Sequence, residues 1–103
     1  MRMTEGEGGA RRATVQVVGE LDMINAADLH QQLLVLLHDR VQEIVLDLSD
    51  LVFVDASGIG AIVAAANLAR RDGRRLVLAH PRPSVRRTLE LAHVEDLLPI
   101  DSE

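Results

Sequence analysis

Cysteine and lysine are both missing from the 103 residues, and the aromatic side chains reduce to a single phenylalanine, Phe53. Without cysteine there can be no disulfide, no thiolate nucleophile and no cysteine-ligated metal, a composition that fits a cytoplasmic protein. Without lysine there is neither a Schiff-base amine nor a P-loop lysine, and all eleven basic side chains are arginine. A lone aromatic offers no base-stacking platform, and a formal charge of −5 opposes contact with a phosphate backbone, so no direct nucleic-acid binding is expected. No apolar run approaches the ~20 residues that a bilayer span needs, so membrane insertion is not expected either. The first nine residues lack the apolar core of a signal peptide. His30, His38, His80 and His93 show no metal-ligand spacing and read as surface or cap residues. No metal and no cofactor is implied.

What is present is an alternation of short apolar runs and helical repeats. Residues 1–12 show no periodicity and read as a flexible N-terminal tail, with Met1–Thr4 a poor candidate for a strand. Residues 13–103 read as one domain with one core. Ala13–Val18 is a β-branched run closed by Gly19. Asn25 can cap a helix whose apolar face is Ala26, Leu29, Leu33, Leu36 and Leu37, predicting a helix over 25–39. Glu43–Leu48 is nearly continuous in apolar residues, as in a strand buried on both faces. Val52–Val54 is a further short extended piece leading into a helix over 57–71, which Arg70, Arg71 and Gly73 should end. Arg75–Ala79 reads as another strand, Pro83 opens a last helix to Ala92, and residues 94–100 should pack back onto the core. Strands alternating with helices predict an α/β fold, a small mostly parallel or mixed sheet with three to four helices.

The junction Phe53-Val-Asp-Ala-Ser-Gly-Ile-Gly60 carries the chemistry. A strand delivers Ser57 to the first turn of a helix, where backbone N–H groups lack partners and the local field favours an anion. A phosphate there adds roughly −1.5 to −2 charges and three acceptors. Gly58 and Gly60 keep side chains away from the serine, which suits close approach by another protein. Ser57 also has a plain reading as a helix cap, and the two roles can coexist. Asp55 reads as a cap as readily as a site residue, and Asp22 as a turn residue. On the following helix, Ile59, Ile62, Val63 and Ala66 form one apolar stripe and Ala61, Ala64, Ala65 and Leu68 a second. The second is either a sign of deep burial or a small-residue face that admits a partner.

Three stretches together resemble STAS domains: Gly19-Glu-Leu-Asp22, Asp47–Gly60, and Pro83–Ala92 with the Leu-Pro-Ile that ends at Ile100. The resemblance covers roughly residues 13–100 and is to the stand-alone anti-sigma factor antagonists. It implies the STAS fold and a non-enzymatic regulator controlling sigma-factor-dependent transcription by partner switching. Ser57 is then the phosphorylated serine, with Ala56 at the variable site before it. The unphosphorylated form would bind an anti-sigma factor serine kinase, phosphorylation would release it, and a phosphatase would reset it. By the same likeness Asp22 and Asp55 help shape the docking surface, with Ala56, Gly58, Ile59, Gly60, Ala61 and Ala64 around Ser57. His93 stands where the last helix often ends at glycine. A monomer is the simplest expectation.

Other readings carry less. Gly58-Ile-Gly60 lacks the third small residue of a dinucleotide loop, and Ser57 lacks the glycine two positions earlier that a nucleophile elbow requires. Weak nucleotide binding at the helix start rests only on its affinity for anions. A scaffold subunit of a stressosome or lipid-transport complex, binding irrespective of Ser57, rests on the second stripe.

Overall fold

The structure is a computed structural model, and it describes residues 1–7, 12–39, 41–96 and 99–101. The long apolar alternation of the first domain segment forms the organising strand. β2 (Arg12–Leu21) buries Ala13, Val15, Val17 and Leu21, and lies between β1 (Arg2–Glu7) on one side and two later strands on the other. β3 (Glu43–Asp47) pairs in parallel with the first half of β2, Arg12 opposite Glu43 through Gln16 opposite Asp47. β4 (Leu51–Val54) pairs in parallel with the end of β2, Gly19 opposite Leu51 and, after a register shift, Glu20 opposite Phe53 and Leu21 opposite Val54. β5 (Arg75–Ala79) pairs in parallel with β3, and β6 (Ile100–Asp101) with β5. The order is β1-β2-β3-β5-β6 with β4 also on β2, and only β1 is antiparallel.

Three helices connect and cover the strands: α1 (Ala26–His38), α2 (Ala56–Arg71) and α3 (Pro83–Leu91). Burial of Leu29, Leu33, Leu36 and Leu37 sets the inner face of α1. α1 packs along α2, and α3 lies against β4. Gly73, at φ 72°, ends α2 in the left-handed conformation that glycine adopts without strain. A short 3₁₀ turn, Val94–Asp96, returns Val94 to the core. His93 does adopt a left-handed conformation, φ 59°, and so does His80, φ 56°.

The mixed α/β architecture and its three main helices agree with the sequence. One expectation fails at the N-terminus. Of the segment read as a flexible tail, residues 2–7 are a strand and residues 8–11 lie outside the described residues. Arg2-Met-Thr-Glu-Gly-Glu carries little apolar patterning because an edge strand draws its order from main-chain pairing with β2, here with Met3 packed on the core. Of the 94–100 return, Leu97 and Leu98 lie outside the described residues, and Ile100 packs against the core.

Candidate functional site

β2 and β4 run in parallel and end side by side, so the residues that follow them meet at one end of the sheet. Asp55, directly after β4, donates its own N–H to the Leu21 carbonyl at 3.1 Å. Its Oδ1 accepts from the Gly58 N–H at 3.0 Å and so caps α2, while Oδ2 accepts from the Met23 N–H at 3.2 Å. One carboxylate thus satisfies a free amide of the helix start and ties that start to the loop after β2.

The loop has its own fastenings. Asp22 Oδ1 accepts from the Ile24 N–H at 3.0 Å. Asn25 Oδ1 accepts from the Asp22 N–H at 2.9 Å, and Asn25 Nδ2 donates to the Glu20 carbonyl at 2.8 Å. Asn25 stands at the N-cap position of α1 yet its side chain makes no cap hydrogen bond. The expected cap is therefore a loop clamp, because the amide reaches back to β2 with both an acceptor and a donor.

Ser57 sits in the first turn of α2, exposed to solvent. The capping reading fails for it, since Asp55 occupies that place. Ser57, Gly60, Ala61 and Ala64 follow one another at helical spacing, and all but the half-buried Ala61 are exposed. Gly60 faces open space. Gly58 does not: it is buried, and a Cβ there would stand 2.6 Å from Leu21 Cγ and 2.9 Å from both the Leu21 carbonyl and Val54 Cγ2. Gly58 admits the helix to the sheet rather than a partner to the serine. Ile59 is also turned inward against the core. Ala56 is exposed; Asp22 and Asp55 are half-buried. The second stripe of α2 proves to be mostly packing, with Ala65 buried, Ala61 and Leu68 partly so, and only Ala64 in water.

Two residues that the sequence reading passed over stand out. Met23 and Ile24, at the tip of the pinned loop, are 78% and 85% exposed. The signal was there: two large apolar residues set between Asp22 and Asn25, in a stretch too short and polar to be a strand or a helix. Along the sequence the charge is one-sided. From residue 13 to residue 69 the chain holds eight carboxylates and a single arginine, Arg40, although Glu43 and Asp50 are paired with Arg12, Arg75 and Arg82 from outside that stretch. Among the described residues no cluster of three or more potential metal ligands occurs, and no helix is long and apolar enough to cross a membrane.

This arrangement has counterparts. The anti-sigma F factor antagonist of Paenibacillus polymyxa is 30% identical over 87 residues, 84% of this chain and 74% of that protein. The anti-sigma-B factor antagonist of Staphylococcus aureus is 23% identical over the same share of this chain and 81% of its own. Among solved structures, an anti-sigma factor antagonist from Mycobacterium paratuberculosis superposes with a TM-score of 0.85 at 23% identity, covering 99% of this chain and 87% of that one. The antagonist SpoIIAA in its unphosphorylated form gives 0.76 at 17% identity, covering 99% and 90%, a likeness of fold. The STAS domain family model matches residues 2–103, so the edge strand, the clamped loop and the serine-bearing helix all fall within it, and the chain belongs to the STAS domain family.

Proposed function

We propose that this protein is an anti-sigma factor antagonist, a cytoplasmic regulator rather than an enzyme, and that Ser57 is its switch. Unphosphorylated, it binds an anti-sigma factor serine kinase through the surface around Asp22, Asp55 and Ser57, and the sigma factor is freed. The observation that carries this reading is an exposed serine in the first turn of α2 whose capping duty has been taken over by Asp55. The hydroxyl is thus available to chemistry without loss of the helix start. The names of the Paenibacillus and Staphylococcus relatives support it.

In the step itself Ser57 Oγ takes the γ-phosphoryl group of ATP, the bond to the β-phosphate oxygen breaks, the serine proton passes to a base on the kinase, and ADP remains in the kinase site. Transfer requires the nucleotide phosphates to face Ser57 in the docked pair. A phosphoserine then sets two further negative charges against the nucleotide that stays in the kinase and fills the gap between the surfaces, so the complex parts. A phosphatase restores the serine.

The test is a phosphorylation assay with the anti-sigma kinase captured by wild-type bait and identified by its ATP-binding domain. Wild type should accept one phosphate and lose the kinase, while Ser57→Ala should accept none and stay bound. Its unfolding free energy should change by less than about 0.5 kcal/mol, as for a solvated surface site, where a lost cap would cost ~1 kcal/mol. Uptake of a phosphate by Ser57→Ala would place the site elsewhere.

A further inference from the structure

The side chains of Met23 and Ile24 are exposed and take no part in the core, and their position gives them another role. We propose that these two side chains are the apolar anchor by which the antagonist grips its kinase, seated in an apolar socket whose rim is cationic; the inference rests on the reading above. Four observations converge on it. Both side chains stand in water, at 78% and 85% exposure, while the backbone beneath them is held by Asp55, Asp22 and Asn25. With the main chain already held, docking costs this loop little backbone freedom, and the cost that remains is the rotamer freedom of the two side chains.

The loop is continuous with the phosphoacceptor site. A single carboxylate, that of Asp55, binds the Met23 amide on one side and the first turn that carries Ser57 on the other.

The flanking charge states the chemistry of the partner. Glu20 is exposed on the strand before the loop, Asp22 and Asp55 are half-buried below it, and Asp28 is exposed in the first turn of α1. No basic side chain of the described residues pairs with any of the four, whereas the ion pairs among the described residues lie elsewhere, at Arg12–Glu43, Arg75–Glu43, Arg82–Asp50 and Arg86–Glu90, with a His93–Asp96 contact besides. An apolar tip inside an uncompensated acidic ring is matched by an apolar socket ringed with arginine or lysine. Of the other large exposed apolar residues, Leu91, at 72%, lies on α3, and Phe53, at 47%, stands on β4 opposite Glu20.

The kinase captured by wild type, purified, is titrated with wild type, with Met23→Ser/Ile24→Ser and with Leu91→Ser, and each protein's oligomeric state is measured by sedimentation. The double variant should bind roughly thirtyfold or more weakly, as for loss of a central anchor, and should keep its thermal midpoint. Leu91→Ser should bind as wild type. Equal affinity of the double variant, or an equal loss in Leu91→Ser, overturns the anchor while leaving the phospho-switch standing. A wild type that dimerises, with a double variant that does not, assigns the tip to a second copy of this chain and also overturns it. A wild type that captures no kinase fails one step earlier, at the proposed function, and takes the anchor with it.

Discussion

The N-termini of α1 and α2 present the same problem, unpaired amides at the end of a loop, and each places an Asp or Asn at the cap position. They resolve it in opposite ways. Asp55 bonds forward into its own helix and sideways to the Met23 amide. Asn25 gives its helix nothing and bonds backward to Asp22 and Glu20. The difference follows from chemistry: a carboxylate can only accept, and two amides lie within its reach, whereas a carboxamide can meet one donor and one acceptor of the strand end at once. A residue type favoured at caps therefore marks a place where the backbone needs a partner, without saying which backbone.

The largest effect should come from the contact that brings α2 against β2. Gly58→Val places a branched side chain where even a Cβ meets the Leu21 carbonyl at 2.9 Å, and a main-chain atom cannot swing aside. A loss of about 3 kcal/mol is expected, at the upper end for overpacking, read as a lowered urea midpoint. Unchanged stability would mean that the helix start can drift from the sheet.

Asp55→Ala should come next, at about 1–2 kcal/mol, since the cap of α2 and the Met23 tie are lost together. It should also weaken kinase binding by more than its stability cost accounts for, because the loop and the serine then move independently. Asn25→Ser gives the sharpest contrast and the smallest change. Serine is as good a cap as asparagine, so a capping residue would tolerate the exchange; a clamp should lose about 1 kcal/mol, because the shorter side chain cannot serve both Asp22 and Glu20. Neutrality in a denaturant melt would return Asn25 to its helix.

Most of the fold was legible because its elements announce themselves by period: α1 through Leu29, Leu33, Leu36 and Leu37, β3 through Ile44, Val45 and Leu46, all buried. β1 was not, since Arg2–Glu7 owes its form to the main chain of β2 and its side chains carry no rhythm. In the site, Asp55 and Ser57 were found from the strand-to-helix junction, but their division of labour was not, because either can cap at that spacing. Gly58 was misread as open for a general reason: a glycine tells that something comes close and leaves unstated whether it comes from inside or outside. Met23 and Ile24 escaped notice because apolar residues in a short loop have no period to belong to.

β2 is one continuous strand with two different parallel partners in succession. Arg12–Gln16 pair with β3, Gly19–Leu21 pair with β4, and Leu21 receives the Asp55 amide and the close face of Gly58. The end of β2, the loop to Asn25, β4 and the first turn of α2 are therefore a single cooperative patch assembled from segments some thirty residues apart. A change anywhere in the patch thus reaches the serine and the loop tip together, while Arg12–Gln16 pair with a different strand.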